Sequence, residues 1–545
     1  MTLLWIVLLP FIGALPPLLV RGGADVRARA MWAAALPTMV AFGLVLAQGP
    51  RMYAGEVLTA TWSWLPALGL DLTFRMDGFA WLFACLVLGI GLLILLYARY
   101  YLSAEEAVPR FFASLMLFMG SMTGVVLAGN LILLLVFWEL TSVSSFLLIG
   151  FWRHDEEARY GARMALIVTG LGGLALLGGL LLLGSIVGSH DLTTVLAAAG
   201  TVQQHPLYVP MLLLVLVGAF TKSAQFPFHL WLPRAMAAPT PVSAYLHSAT
   251  MVKAGVFLLG RLYPVLSDTD PWFFIVSIVG MTTLLLGAYR AMFSHDLKGL
   301  LAFSTVSHLG LITLLFGFST PMAAVAAVFH LINHATFKAS LFMAAGIIDH
   351  ETGTRDMRIL NGLAKTMPYT TALAVVATAA MAGVPLMNGF LSKEMFFAES
   401  LAVSRMGVYG WTEPVLATLA GIFSVAYSIR FIHVFFRGTG TGMPKQPHEP
   451  PRFMRIPVEA LVLICVLVGV LPGLIVEPLL RVAAAPVLNG NLRRYLPWTS
   501  VLAIVASLAM AGIPLLNGFL SKEMFFAQAL EIEGAGPMPV IVTIT

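Results

Sequence analysis

Runs of about twenty mostly apolar residues, the length that crosses a bilayer, recur about fifteen times along this chain, with little between them. They fall near 3–20, 31–48, 76–98, 111–128, 130–151, 162–187, 207–229 and 242–261, then near 272–293, 298–318, 321–347, 368–398, 412–436, 456–480 and 498–528. Of the 545 residues, 59% are hydrophobic and 10% charged, against about 25% charged in a soluble domain. That is too little charge to clothe a water-exposed surface of this size, whereas a lipid-facing surface needs none. The expected fold is therefore an all-α polytopic membrane protein of about 14–15 transmembrane helices, packed as one bundle without a large soluble domain. A net charge of +5 does not suggest nucleic-acid binding. Cys85 and Cys465 lie inside apolar runs without metal-ligand spacing. The opening MTLLWIVLLP has no basic region before its apolar stretch, so it reads as a first span rather than a cleaved signal.

Lys and Arg distribute unevenly between the loops. Loops after odd-numbered spans hold Arg21, Arg27 and Arg29, then Arg99 and Arg110, Arg153, Arg159 and Arg163, Arg290 and Lys298, Arg355, Arg358 and Lys365, and Arg437, Lys445, Arg452 and Arg455. The segment 188–206 has none, and 263–271 carries Asp268 and Asp270. The N-terminus is therefore expected outside, with the basic loops in the cytoplasm.

An ionisable side chain at the centre of a membrane helix costs about 2.5–3.5 kcal/mol on insertion scales, so its presence there points to function. Glu139 stands in LLLVFWELTSVSSFLL, Lys222 in LVGAFTKSAQFPFHLWLP, His247 and Lys253 in YLHSATMVKAGVFLL, His330, His334 and Lys338 in AVFHLINHATFKASLF, and Lys393, followed by Glu394, in GVPLMNGFLSKEMFF. Lysines near helix ends can snorkel, and a lone core histidine such as His247 can be simply packed. His330, His334 and Lys338 are spaced i, i+4, i+8, on one helix face about 6 Å apart per step. Such a face can line a water chain, and histidine can pass protons near neutral pH. Zinc is the competing reading of the two histidines, but no third acidic or thiol ligand lies nearby, so no metal or cofactor is expected. Lys222 precedes Pro227 and Pro233, and Lys393 follows Pro385 and Gly389. Proline breaks the helical ladder, and broken helices at corresponding places in two halves mark transport sites near mid-membrane. Burial disfavours a charged ammonium and a nearby carboxylate favours it. Changing the influence of Glu139 on Lys222 would thus load or release a proton without a redox centre.

Residues 381–398, MAGVPLMNGFLSKEMFFA, return at 510–527 as MAGIPLLNGFLSKEMFFA, with two of eighteen positions changed. By span count the second copy would run opposite to the first and leave Arg493 and Arg494 outside. No Glu, Lys or His on neighbouring helices accompanies Lys522. Residues 498–528 are therefore expected to pack poorly or to lie at the edge of the bundle rather than to form a second ion site, which leaves 491–545 a duplicated tail without a clear functional part.

The segments FWELTSVSSFLLIGFWRHDEEARYGA, TKSAQFPFHLWLPRAMAAPTPVSAYLHSATMVKAG, FHLINHATFKASLFMAAGIIDHETGTRD and GFLSKEMFF resemble the proton-conducting antiporter-like membrane subunits. These are shared by respiratory complex I, membrane-bound hydrogenases and the Mrp (Pha) multisubunit cation/proton antiporters. The resemblance covers roughly residues 1–480. FWELTSVSSFLLIGFW and the HETGTRD loop are most similar to the A-type subunits of the Mrp antiporters. The resemblance implies two inverted five-helix units, 111–262 and 272–437, each with a broken helix. They would follow N-terminal helices in 1–110 and precede a C-terminal region 438–490. It also implies that Glu139 pairs with Lys222, and that His247, Lys253, His330, His334, Lys338 and Lys393 continue the proton route. It further implies partner antiporter subunits, protons and monovalent cations as cargo, no cofactor, and a bacterial inner membrane. The A-type subunits continue into a longer C-terminal membrane extension, where this sequence has the repeated tail. Two functions follow: the proton-translocating subunit of a Na⁺ or K⁺/H⁺ antiporter, or a pumping subunit driven by redox chemistry elsewhere in a complex I-like dehydrogenase or hydrogenase. Small antiporter genes nearby would mark the first, and iron–sulfur subunits the second.

Overall fold

A computed structural model describes residues 1–489 except 24, 66–69, 406, 408 and 409. The repeated tail lies outside the described residues. Among them, twelve helices are long and apolar enough to cross a membrane. The shorter apolar helices Tyr208–Lys222 and Pro368–Ala382 begin the expected spans seven and twelve. Together they account for the first fourteen expected spans, and the chain is a multi-pass membrane protein. Because each five-helix unit has an odd number of spans, the second is inverted relative to the first.

Side-chain caps start the spans where the sequence places short polar residues, each satisfying orphan N–H groups of a first turn. The Asn130 Oδ1 accepts from Ile132 N at 2.8 Å and Leu133 N at 3.3 Å, Asp296 accepts from Gly299 N at 2.7 Å, and Thr320 accepts from Ala323 N at 3.2 Å. Spans nine, Asp270–Phe293, and ten, Leu297–Gly317, approach backbone to backbone. A Cβ on Gly310 would meet Leu284 N at 2.4 Å, and one on Gly287 would meet Ser307 N at 2.5 Å. Small residues permit this closeness where lipid offers no hydrophobic drive between helices.

Span eleven, Pro321–Thr352, is the axis of the second unit. Its most apolar window is wholly buried, against 33% for span thirteen, Thr412–Phe436. A helix enclosed by protein on every side can carry charged groups that lipid would reject.

The structure adds an antiparallel hairpin, Leu58–Leu65 with Leu70–Met76, that the apolar runs did not announce. It is tied down by Asp77. That carboxylate caps span three by accepting from Ala80 N at 3.0 Å. It also pairs with Arg75 of the hairpin and with Arg261 of span eight, the latter at 2.5 Å. Lys298, read from the sequence as a loop cation, is instead buried at the start of span ten, where its ammonium donates to the Ala238 carbonyl at 2.7 Å.

Candidate functional site

Spans seven and twelve are both interrupted where their prolines and glycines lie. The first ends at Lys222, passes through Ala224 at φ 48°, and continues past Pro227 as short turns, Phe228–Leu230 and Trp231–Arg234. The backbone groups freed by the break find partners, as they must in a membrane interior. Trp231 Nε1 donates to Thr221 O, and Phe226 N donates to Thr283 Oγ1, each at 2.9 Å. Span twelve stops at Ala382, turns at Gly383 (φ 86°) and Leu386 (φ 68°), and resumes as Asn388–Arg405.

A third break, unmarked by proline or glycine, splits span eight into Thr240–Ser248 and Lys253–Leu266. Ser223 stitches it to span seven: its hydroxyl donates to Val252 O at 2.6 Å and accepts from Val256 N at 2.9 Å.

Most of the basic groups that the sequence singled out sit at these breaks or along span eleven. Lys222 ends its half-helix, and its ammonium donates to Trp138 O at 3.0 Å and Ser142 Oγ at 2.7 Å. It also lies 5.2 Å from the Trp138 ring centroid. Glu139 is the next residue along span five, and among the described residues no direct ion pair joins it to Lys222, whose ammonium bonds to the helix on either side of it. The carboxylate instead crosses to span six, where a Cβ on Gly173 would lie 1.6 Å from its Oε1. It lines a groove of about 400 Å³ with Leu135, Ile167, Gly170 and Leu174, and Oε1 is buried without a hydrogen-bond partner. The pair meets through the helix instead: Lys222 holds the carbonyl preceding Glu139 and the hydroxyl one turn after it.

Lys253 opens the second half of span eight and donates to Leu331 O at 2.7 Å, reaching span eleven. His247 is buried between Trp231 and Phe342, with both ring nitrogens unpartnered. His334 is equally buried and unpartnered. Buried imidazoles without partners are places where water completes the hydrogen bonding. Lys338 donates to Ser304 Oγ on span ten and lies 3.2 Å from Met381 Sδ. Lys393 donates to Met381 O and Ala382 O, the last carbonyls of the first half of span twelve, and to Ser424 Oγ, each at 2.9 Å. The negative end of a helix dipole favours a cation there. Glu394 is exposed.

His308, on span ten, is a residue that spacing did not single out. Its Nδ1 lies 2.9 Å from His330 Nε2, and its ring stacks on that of His330 at 5.1 Å and lies tilted against that of His334 at 5.4 Å. A histidine four residues after Ser304 in a span rich in Ser and Thr was the available signal.

Gly389 lets the two halves of span twelve touch, since a Cβ there would lie 1.8 Å from Ala380 O. Gly389→Ala is expected to cost about 1–3 kcal/mol, the range for overpacking, read as earlier thermal unfolding of the purified protein in detergent. An unchanged melting curve would mean that the halves part without penalty.

The comparisons agree with this architecture. A family model described as "NADH:quinone oxidoreductase/Mrp antiporter, TM" matches residues 128–416, and one for the N-terminus of complex I chain 5 matches 62–112. The chain is 59% identical over 490 residues to the A/B-type subunit of a probable K(+)/H(+) antiporter of Rhizobium meliloti, covering 90% of this chain and 49% of that protein. It is 43% identical over 494 residues to the A-type subunit of the Na(+)/H(+) antiporter of Bacillus subtilis, covering 86% and 62%. A chain of the Mrp complex from Dietzia superposes with a TM-score of 0.80 at 34% identity, covering 97% of this chain and 59% of that one. A chain of respiratory complex I from Thermus thermophilus shares the fold, with a TM-score of 0.76 at 24% identity, covering 90% and 100%. This chain thus spans about half to three-fifths of the antiporter subunits it matches. With the matched membrane segment taking up more than half of its length, the chain belongs to the NADH:quinone oxidoreductase/Mrp antiporter family.

Proposed function

We propose that this chain is the proton-translocating subunit of a multisubunit Na⁺ or K⁺/H⁺ antiporter, exchanging cytoplasmic cation for external protons. The observation that carries the reading is the row of buried and half-buried ionisable groups through both units. Glu139, Lys222, His247 and Lys253 lead to His330, His334, Lys338 and Lys393, with a broken helix in each unit. Groups of this kind, held at helix breaks and bridged by hydroxyls or water, pass protons without a redox centre. The exchange reading is favoured by the antiporter names of relatives at 59% and 43% identity, whereas the complex I chain at 24% identity shows the shared fold alone.

In this reading 1–110 is an N-terminal helical region, 111–262 and 272–437 are the two inverted units, and 438–490 is a C-terminal helical region. The N-terminus faces outward and the arginine-rich loops face the cytoplasm of a bacterial inner membrane, following the loop asymmetry. Further antiporter subunits complete the assembly.

The test is an assay on everted vesicles carrying this chain with its partner subunits. Adding Na⁺ or K⁺ to vesicles acidified inside should release protons, reported by a pH-sensitive dye. Proton uptake that follows quinone reduction and ignores added cation would overturn the exchange reading in favour of the redox-driven one.

A further inference from the structure

Lys393 and the histidine pair of the second unit are joined by an unbroken line of hydrogen bonds through span thirteen. Lys393 Nζ donates to Ser424 Oγ at 2.9 Å, and Ser424 Oγ lies 3.0 Å from Tyr427 Oη. Tyr427 Oη lies 3.3 Å from His308 Nε2, and His308 Nδ1 lies 2.9 Å from His330 Nε2. His330 Nδ1 lies 2.9 Å from Ser392 Oγ, whose hydroxyl donates to Gly389 O at 3.3 Å. Ser424, Tyr427, His308, His330 and Ser392 are all buried. One assignment of hydrogens satisfies every link. Each hydroxyl donates onward, and each neutral imidazole accepts at Nε2 and donates from Nδ1. A cavity of about 20 Å³ adjoins Lys393, Ser424, Tyr427 and His308, room for about one water.

We infer that Ser424, Tyr427 and His308 form the bridge by which a proton leaves Lys393 for the histidines of span eleven. The inference rests on the proposed proton-translocating function. The transfer is a relay of hops. Lys393 gives one proton to Ser424, Ser424 passes its own to Tyr427, Tyr427 passes its own to His308 Nε2, and His308 releases the Nδ1 proton to His330 Nε2. The net result is a neutral Lys393 amine and an imidazolium at His330, with every bridge group restored to its original charge. Before the next proton the hydroxyls must rotate back, and His308, left as its Nε2–H tautomer, must return to the Nδ1–H form. The direct alternative within span twelve is closed, because the other two bonds of the Lys393 ammonium go to the carbonyls of Met381 and Ala382, which cannot pass a proton on.

Tyr427→Phe deletes one hydroxyl and keeps the ring. In vesicles carrying the complete complex, it is expected to slow cation/proton exchange roughly tenfold or more, on the scale of a lost proton-transfer group. The apparent KM for the cation should be unchanged, as should the assembled complex on a native gel. Because proton transfer then limits the rate, the slowing in D₂O relative to H₂O should exceed that of the wild type, which a merely structural defect would not produce. Ser424→Ala breaks the neighbouring joint and should behave alike, and it decides the matter if the tyrosine variant fails to assemble. Lys393→Ala is the reference. If it abolishes exchange while the assembled bridge variants work at wild-type rate and isotope effect, the bridge is wrong. Wild-type exchange by Lys393→Ala would instead sink the proposed role of Lys393.

Discussion

Lys222→Ala is expected to reduce cation/proton exchange by about 10²-fold or more, the loss typical of a missing proton-transfer group, in vesicles that carry the complex at wild-type abundance. The side chain is wholly buried at the end of a broken half-helix, and its ammonium bridges to span five on either side of Glu139. Alanine removes the bond from the break to Ser142, within the polar stretch Thr141, Ser142, Ser144 and Ser145. Glu139→Gln, close in size and uncharged, should slow exchange in the same direction, because it removes the charge that biases Lys222 while leaving the contact with Gly173. The measurement is cation-induced release of protons from acidified everted vesicles. Exchange near the wild-type rate in Lys222→Ala would exclude this lysine from the route and leave it a structural tie between spans five and seven.

The second large effect concerns stability. Asp77→Asn is expected to destabilise the protein by about 3–5 kcal/mol, the cost of leaving buried charge without its counter-ion. The carboxylate is almost fully enclosed and is flanked by Arg75 and Arg261, whose side chains are 10% and 3% exposed. Burial alone would push its proton affinity up, but Arg261 and Arg75 hold the carboxyl well below the usual carboxylate range. A depressed folded-state value means that this stability is present above the unfolded pKa of about 4. It is lost only as pH falls through the folded value, so at neutral pH the full penalty of the substitution should appear. Thermal unfolding of the purified protein in detergent reads it. A melting curve that coincides with the wild type's would show that water reaches the two guanidinium groups and that the cluster ties nothing together. The loss should be structural first, since Asp77 anchors the hairpin, the start of span three and Arg261 of span eight, 184 residues away in sequence.

Much of this molecule could be read from the chain itself, for one physical reason. Lipid penalises charge and unpaired backbone, so each exception inside an apolar run stands out. Glu139, Lys222, Lys253, Lys338 and Lys393 were visible as charges among apolar neighbours. The breaks after Lys222 and before Lys393 were visible as prolines and glycines, and the first fourteen spans as apolar lengths. Groups without such a signature were hidden. Tyr427 and Ser424 are neutral and cost little to bury, so nothing local separates them from ordinary packing residues. The break in span eight, within SATMVK, contains neither proline nor glycine; tertiary contacts at Ser223 hold it open. Lys298 looked like a loop cation until the carbonyl of Ala238 was seen to cover it.

Partner identity was the other thing decided only in three dimensions. Sequence offers a carboxylate and an ammonium as neighbours but not the groups that hold them; the packing of span six against span five sets Glu139 against Gly173, and Lys222 bonds to a carbonyl and a hydroxyl of span five. The same holds for His330, whose neighbours by spacing are His334 and Lys338, but whose ring bonds to His308 and Ser392 from two other spans. The chain by itself determined which residues would be costly to bury and where the helices would break, because both follow from local chemistry against a single solvent. Which group each buried charge meets was set by the close approach of helices distant in sequence, and only the tertiary structure decides that.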